Sequence, residues 1–247
     1  MAPRTPIKNV DRDRLYTDIM YRYQYVSDFV GFDETDIKAL KDAAPLIAPL
    51  VPVIADAVYD RLFSFDITKQ VFLERGAGFH GHIAKNLAEM TTEDEQIKHR
   101  KNFLSKYLVK LVTAEYDAKF VKYLDYVGKI HTNTPDKKST INVEYVHVNA
   151  LFGWLHGFLA ETLNGLPELQ ANPAARGKAL AALSKLLWIQ NDFFAMYYVN
   201  DGSELMGKKT KSSMLSGVSN SSLAVVGGAM VSVFAVGIAA GMRYAMK

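Results

Sequence analysis

The most informative absence in this chain is cysteine, which does not occur among its 247 residues. This absence excludes disulfides, thiolate nucleophiles, iron–sulfur clusters and zinc sites that use cysteine. The sequence also lacks the P-loop, G-x-S-x-G and H-E-x-x-H motifs, so it does not indicate a kinase, a serine hydrolase or a metalloprotease. A formal net charge of +3 is too small to indicate a nucleic-acid partner. The first residues, MAPRTPIKNVDRDR, have no apolar stretch and do not predict a secretory signal.

The alternating β-branched pattern of strands is nearly absent, and apolar residues recur at helical spacing instead. We therefore predict an all-α fold. With 49% hydrophobic residues, the chain can bury one sizeable core. We expect an N-terminal tail at 1–10 and a helical domain at 11–205, with a short helix that begins at Asp33 or Thr35 as its N-cap. The longer helices are predicted at about 13–29, 45–65, 91–112, 116–131, 140–163 and 173–199.

One segment, GAGFHG at 76–81, matches the G-x-G-x-x-G pattern of dinucleotide-binding proteins. That pattern binds a nucleotide where a strand precedes it and a helix follows within a strand–helix–strand unit, and no such strands are predicted here. The glycines are therefore expected to shape a loop between two helices. His80 and His82 in this loop have no further partners that would complete a zinc site.

An uncharged, apolar segment covers residues 223–242, LAVVGGAMVSVFAVGIAAGM. As a helix it would be about 30 Å long, which is enough to cross the hydrocarbon core of a bilayer. A linker rich in Ser, Gly and Lys at 206–222 separates it from the helical domain, and a short basic tail at 243–247 follows it. We expect a transmembrane anchor; the alternative is a buried core helix. The spacing of Gly237 and Gly241 would allow two such helices to pack together.

His131 lies at the end of a predicted helix, in the segment DYVGKIHTNTP. Its ring is expected to face the core, because it continues an apolar stripe that consists of Phe120, Leu124 and Val127. Gly128, one turn before, would leave room for a flat group against the helix. Two interpretations remain open on this pattern alone. His131 is either a core histidine that offsets the helix dipole or a neutral imidazole that binds haem iron.

Three segments, in their order along the chain, resemble the haem-binding helices of one family. YLDYVGKIH, which ends at His131, is similar to the proximal-histidine segment of protoglobins and globin-coupled sensors. IADAVYDRLF at 54–63 resembles the distal helix of that family, whose tyrosine is Tyr59 here. HRKNFLSKYL at 99–108 resembles the family's other distal helix, with Phe103 at the aromatic position that faces the ligand. The resemblance covers most of the chain before the linker and includes an extra N-terminal helix.

The resemblance implies a globin fold whose helices enclose haem b, with the iron bound by His131. Tyr59 would then donate its hydroxyl to a bound gas, and Phe103 would wall the distal side. Both are ordinary core aromatics in the alternative reading. The other expected contacts with the haem are Val127, Gly128, Val148 and Phe152.

The expected function is reversible binding of O2, CO or NO by a membrane-tethered sensor or carrier that could form a homodimer and has no nucleic-acid partner. Catalysis is not expected, because the sequence carries no recognisable flavin or nicotinamide domain to supply electrons. Two alternatives are kept: a haem enzyme such as a nitric oxide dioxygenase or a peroxidase, and a haem-free helical membrane adaptor. The anchor is expected to insert after synthesis and to leave the globin domain in the cytosol, at either the mitochondrial outer membrane or the endoplasmic reticulum.

Two features depart from the family pattern. His99 stands one helical turn before Phe103, where the family usually carries a small apolar residue, so His99 is a surface histidine, a gate or a sixth iron ligand. Its basic neighbours favour the solvent-facing position; they are Lys98, Arg100 and Lys101. The second departure is the apolar segment at 223–242, because protoglobins end after the globin helices and sensors continue into a signalling domain.

Overall fold

A computed structural model describes residues 7–76, 78–132 and 142–205. Within these ranges it contains helices and no strand, which confirms the predicted all-α class. Two short 3-10 turns, Ala48–Leu50 and Gln70–Leu73, accompany the α-helices. The α-helices, in chain order, are α1 (Arg12–Thr17), α2 (Ile19–Val30), α3 (Glu34–Ile47), α4 (Val51–Phe63), α5 (Asp66–Lys69), α6 (Glu95–Thr113), α7 (Ala118–Lys129), α8 (Tyr145–Gly165), α9 (Pro167–Gln170) and α10 (Pro173–Ala195).

The N-terminal helical region is divided at Asp18. The sequence predicts one helix over 13–29, but Asp18 has an extended backbone (φ −128°, ψ 103°) and its side chain accepts hydrogen bonds from the backbone N–H groups of Met20 and Tyr21. An aspartate in this position begins a new helix, because its carboxylate satisfies N–H groups that have no partner within the helix. The prediction of a single helix is therefore wrong, and α1 and α2 are separate.

The proline-rich segment joins two helices and does not begin one. α3 starts after the Asp33 N-cap, which forms a capping box with Asp36, and it continues through Pro45. A 3-10 turn then leads directly into α4 at Val51. The expected Asp33 cap is confirmed. The predicted start of the helix at 45–65 is wrong, because Pro45 occupies the end of α3 and not the first turn of the next helix.

Helix α10 is the centre of the helical assembly. It packs against α2, α3, α7 and α8, whereas α6 packs against α3 and α4. Helices α6 and α7 are not a closely packed pair, although only residues 114–117 connect them. Each is held mainly by different partners. The core behind them is apolar, and its largest fully buried side chains include Leu40, Ile54, Phe120, Leu186 and Phe193.

Gly128 marks a close approach of α7 to α10. A Cβ atom at this position would lie 2.1 Å from the backbone carbonyl oxygen of Phe193. That distance is far inside van der Waals contact, so the absence of a side chain is what lets the two helices cross here. The prediction that Gly128 leaves room for a flat group is wrong, because the backbone of α10 fills that space.

The helices α1–α10 belong to one compact unit that ends at Gly202. Among the described residues, no helix is long and apolar enough to cross a membrane. The predicted linker at 206–222, the anchor at 223–242 and the tail at 243–247 lie outside the described residues. The structure therefore bears on the predicted helical domain and on residues 7–10 of the N-terminal tail.

Replacing Gly128 with alanine is expected to lower the free energy of unfolding. The added methyl group pushes α7 away from α10, and overpacking of this kind costs about 1–3 kcal/mol. The clash is with backbone atoms, which cannot rotate away, so we expect the upper part of that range and a net loss after the gain of about 1 kcal/mol in helix propensity. Urea unfolding followed by circular dichroism measures the change.

The matched control is Gly157→Ala on α8, where an added Cβ meets nothing within 4 Å. This variant is expected to be more stable than the original protein, because alanine favours the helix and meets no clash. A Gly128→Ala protein as stable as the control would show that the crossing of α7 and α10 tolerates a side chain.

Candidate functional site

His131 lies just beyond the C-terminal end of α7, where its backbone still hydrogen-bonds to the helix. Its N–H donates to the carbonyl oxygen of Gly128 at 3.3 Å, and its ring atom Nδ1 lies 2.7 Å from the carbonyl oxygen of Val127. A carbonyl oxygen only accepts hydrogen bonds, so Nδ1 carries the hydrogen and the neutral ring has its lone pair on Nε2. In this tautomer Nε2 can bind a metal ion, and the bond to Val127 fixes the orientation of the ring.

Aromatic side chains from two other helices adjoin His131. The ring centroid of Phe194 on α10 is 4.9 Å from that of His131, and Phe152 on α8 packs edge to face on Phe194 at 5.4 Å. Val148, about one turn before Phe152, is buried. The structure thus links His131 to Phe152 through Phe194. The sequence did not single out Phe194, because no local pattern distinguishes it from the other apolar positions of α10.

Tyr59 lies on α4 within a second aromatic group. Its side chain is 7% exposed, and its ring centroid is 5.6 Å from that of Phe72, which also packs on Phe63 at 5.5 Å. Burial raises the pKa of the Tyr59 hydroxyl well above its usual value, and the nearby charge of Arg100 lowers it by less. The phenol therefore keeps its proton at physiological pH and remains a hydrogen-bond donor.

Arg100 is the residue of α6 that reaches this second group. Its guanidinium carbon lies 5.1 Å from the ring centroid of Phe72, and its Nη2 atom donates to the carbonyl oxygen of Glu74 at 3.1 Å. Burial lowers the pKa of Arg100, and its Nε atom is buried without a hydrogen-bond partner. In the sequence Arg100 stands in a basic run, which is typical of solvated surface. The structure distinguishes Arg100 from the rest of that run, because Arg100 lies one helical turn after the buried Gln96.

Gln96 attaches the loop after Phe72 to α6. Its buried amide donates to the carbonyl oxygen of Phe72 at 2.6 Å and accepts from the backbone N–H of Gly76 at 3.1 Å. Gly76 begins the GAGFHG segment, and within the described ranges this segment lies between helices, as predicted, with no strand on either side. Among the described residues, no group of three or more His, Asp or Glu could hold a metal ion. His80 and His82 are exposed.

The two distal residues predicted on α6, Phe103 and His99, pack on each other. Phe103 is 56% exposed and packs edge to face on His99 at 4.8 Å, whereas the aromatic ring that adjoins Tyr59 is that of Phe72. The expectation that His99 faces solvent is wrong. Its ring lies between Phe103 and Phe79 (5.6 Å), and its Nε2 atom is buried without a hydrogen-bond partner. The basic residues beside His99 gave a wrong indication of its exposure, because successive residues of a helix point to different sides and these residues lie on other sides of α6.

The two groups stand on different helices. The His131 group is carried by α7, α8 and α10, and the Tyr59 group by α4 and α6. Between α6 and α7, the rings of Tyr107 and Tyr123 approach to 6.4 Å, and burial raises the pKa of both hydroxyls, that of Tyr123 to about 12. The side chains of Tyr107 and Tyr123 therefore remain neutral.

Comparison with known proteins identifies the family of this chain. The protoglobin family model matches residues 19–204. The chain belongs to the protoglobin family. Among solved structures, this protoglobin is similar to the globin domain of the Geobacter sulfurreducens globin-coupled sensor, with a TM-score of 0.53 and 20% identity, over 71% of this chain and 96% of that one. At that identity the similarity shows the fold alone, which is the predicted globin fold. A comparison with curated proteins gives no match.

Membership in the protoglobin family implies a haem cofactor and a diatomic gas as its ligand. The chemistry of three described groups suits a haem. The bond from Nδ1 to Val127 puts the imidazole lone pair of His131 on Nε2. The rings of Phe152 and Phe194 provide apolar surface beside it, and Tyr59 provides a neutral donor on a different helix.

Proposed function

We propose that this protoglobin binds haem b through Nε2 of His131 and reversibly binds a diatomic gas, which is O2, CO or NO. The observation that carries the proposal is the 2.7 Å hydrogen bond between Nδ1 of His131 and the carbonyl oxygen of Val127. It sets the tautomer and the orientation that a proximal haem ligand needs. Haem iron would supply the coordination site for the gas. Phe194 keeps the environment of the imidazole apolar.

Replacing His131 with glycine should abolish stoichiometric haem binding by the purified protein, because the variant loses the ligand atom while the helices around it remain. Absorption spectra of the ferric, ferrous and CO-bound forms measure this as loss of the Soret band. Added imidazole should restore a haem spectrum, since it replaces the missing side chain. His82→Gly is the control, because His82 is an exposed loop histidine. Full haem loading of His131→Gly with an unchanged spectrum would rule out His131 as the ligand.

We infer that Tyr59 donates a hydrogen bond to the bound gas. Its phenol is buried on α4 and burial keeps it protonated, so it offers a donor beside Phe63 and Phe72, whose rings have none. Bound O2 carries more negative charge than bound CO. A hydrogen bond from Tyr59 therefore retains O2 more than CO.

Replacing Tyr59 with phenylalanine should speed O2 dissociation and leave CO dissociation nearly unchanged. A hydrogen bond to a partly charged acceptor contributes about 1.5–3 kcal/mol, so the O2 off-rate should rise roughly tenfold or more. Stopped-flow or flash-photolysis kinetics measure both rates. Tyr116→Phe is the control, because it removes another buried hydroxyl, one that donates to the carbonyl oxygen of Leu111 at 2.5 Å. Equal O2 off-rates in Tyr59→Phe and the original protein would assign Tyr59 to packing alone.

We propose that the protein acts as a gas sensor or a gas carrier and not as an enzyme. A haem enzyme that oxidises nitric oxide needs a supply of electrons, and the chain has no recognisable reductase sequence. The G-x-G-x-x-G segment, which could have indicated a nucleotide site, lies in a loop attached to α6. A haem-free adaptor, the third alternative, would give no Soret band in the spectra described above.

The proposed location is a membrane, through the apolar segment at 223–242. This segment is uncharged and long enough for a bilayer core. Lysines 208, 209 and 211 precede it, and the positive-inside tendency then favours a globin domain that faces the cytosol. The mitochondrial outer membrane and the endoplasmic reticulum are the two candidate membranes. If the segment forms a spanning helix, the Gly237-x-x-x-Gly241 spacing would allow a homodimer to form through it.

Deleting residues 212–247 should give a soluble, haem-loaded globin, whereas the full chain should resist carbonate extraction from membranes. Val233→Arg, near the middle of the apolar segment, should weaken membrane retention, because an arginine at the centre of a spanning helix costs about 2.5–3.5 kcal/mol on insertion scales. Ser222→Arg, just outside the segment, is the matched control and should keep the protein in the membrane fraction. Recovery of the full chain in the soluble fraction would refute the anchor.

A further inference from the structure

The last turn of α10 carries two side chains that make contacts on opposite sides of the helix. The ring of Phe194 packs on that of His131, with the centroids 4.9 Å apart, and the carboxylate of Asp192 pairs with Arg22 on α2. Successive residues of a helix are turned by about 100°, so residues 192 and 194 point in nearly opposite directions. A rotation of this turn about its own axis would therefore move Phe194 across the imidazole. The contacts that oppose such a rotation help to orient the imidazole.

Arg22 opposes that rotation through a bidentate ion pair with Asp192. Its Nε atom donates to Oδ2 of Asp192 at 2.6 Å, and its Nη2 atom donates to Oδ1 at 2.7 Å. The side chains of Arg22 and Asp192 are 12% and 23% exposed, so solvent screens this pair less than a surface pair. Two parallel hydrogen bonds fix the plane of the guanidinium relative to the carboxylate, whereas a single bond would allow the carboxylate to pivot.

Helix α2 is a suitable support for this ion pair because it packs on both helices of the crossing. It contacts α7, which leads to His131, and α10, which carries Phe194. An arginine on α2 therefore holds α10 relative to the helix that ends near His131. Other contacts of the crossing restrict other movements. Gly128 sets the closest approach of α7 and α10, and the hydrogen bond from Gln190 to α7 opposes sliding.

A second N-terminal contact holds the chain beyond Phe194. The ring centroid of Tyr16 on α1 lies 5.6 Å from the guanidinium carbon of Arg22, and a Cβ atom at Gly202 would lie 2.2 Å from Cγ of Tyr16. The backbone at Gly202 thus lies directly against the Tyr16 ring, in a left-handed conformation (φ 73°) that glycine adopts readily. Phe194 therefore lies between two points, Asp192 and Gly202, at which the N-terminal helices hold the chain.

We propose that Arg22 is a positioning residue for the proximal haem ligand: its ion pair with Asp192 fixes the rotation of the last turn of α10 and so keeps Phe194 against the imidazole of His131. Arg22 acts through Asp192 and Phe194. The inference rests on the proposed function, because it takes His131 as the iron ligand. It gives the N-terminal helices a role at the haem site, although they contribute no residue to the groups described around His131 and Tyr59.

The experiment records the iron–histidine stretching band of the ferrous, gas-free, full-length protein by resonance Raman spectroscopy. The band reports the orientation of the imidazole and the hydrogen bond at its Nδ1 atom, which a loss of global stability alone does not alter. Arg22→Met is expected to shift or split the band, because Phe194 can then take more than one position against the ring. Arg22→Lys keeps the charge without the planar fork and should give a smaller change of the same kind.

A second measurement follows the rate at which haem is lost to a competing apoprotein. Arg22→Met should raise this rate by up to roughly tenfold, which is the lower end of the effect of groups that orient metal ligands. An unchanged Raman band in haem-loaded Arg22→Met would overturn the proposal even if haem were lost faster, because the faster loss would then reflect stability alone.

A charge swap distinguishes the ion pair from an independent effect of either residue. Arg22→Asp alone should shift or split the band, because two carboxylates then face each other. Adding Asp192→Arg to this variant restores an ion pair of the opposite sense and should move the band back towards its original position. A double variant whose band differs from that of the original protein as much as the band of Arg22→Asp does would count against the proposal.

The matched control is Lys185→Met, which removes another ion pair of α10, the one with Asp36 at 2.8 Å. Lys185 lies about two turns before Asp192 and pairs with α3 instead of α2, so this variant should lose stability in urea and keep the original Raman band. An equal change of the band in Lys185→Met and Arg22→Met would show that the loss of any ion pair on α10 is sufficient, and it would overturn the proposal.

Two further outcomes have a defined meaning. If Arg22→Met does not fold, Arg22→Lys replaces it, and a band identical to that of the original protein would then refute the role of the bidentate pair. An original protein without a Soret band would refute the proposed function and this inference with it, whereas an unchanged Raman band in a haem-loaded variant refutes this inference alone.

Discussion

The contact on which the rest of the site depends is the crossing of α7 and α10 at Gly128. There a Cβ atom at position 128 would lie 2.1 Å from the backbone carbonyl oxygen of Phe193. This close crossing puts the residue after Phe193, Phe194, against the imidazole of His131. A wider crossing would separate the two rings, because both are attached to helices whose spacing sets their distance. The orientation of the proposed iron ligand therefore depends on the absence of one side chain elsewhere.

Polar contacts keep the two helices in register at that crossing. The side-chain amide of Gln190, which is fully buried, donates to the carbonyl oxygen of Leu124 at 3.3 Å, and the hydroxyl of Tyr197 donates to Asp125 at 2.6 Å. Gln190 precedes Phe193 on α10, and Tyr197 follows just after the end of that helix. Buried hydrogen bonds add little net stability, but leaving such groups unpaired is costly, so they select one register over its neighbours. Apolar packing alone would allow α7 to slide along α10.

Local sequence patterns were sufficient to predict several features of the fold. Helix content, the cap at Asp33 and the position of His131 at a helix end all follow from spacing and residue type. Phe72 and Arg100 did not follow, because their roles arise from contacts between segments that are distant in the chain. Arg100 shows the reason most clearly. A basic run is read as solvated surface, yet a helix turns successive residues by about 100°, so neighbours in such a run face different environments.

The same reasoning explains why Gly128 was misread. A glycine beside a ligand histidine indicates that space is available there, but it does not indicate which group occupies that space. Here the backbone of α10 occupies it. The His131 group and the Tyr59 group are connected through α3, which packs on both α10 and α6. Its N-terminal end is tied to α10 by Lys185, which pairs with Asp36 at 2.8 Å. Because α3 packs on a helix of each group and contributes a residue to neither, its packing helps to set how far Tyr59 lies from His131, and a shift of α3 would change that distance while leaving each group intact.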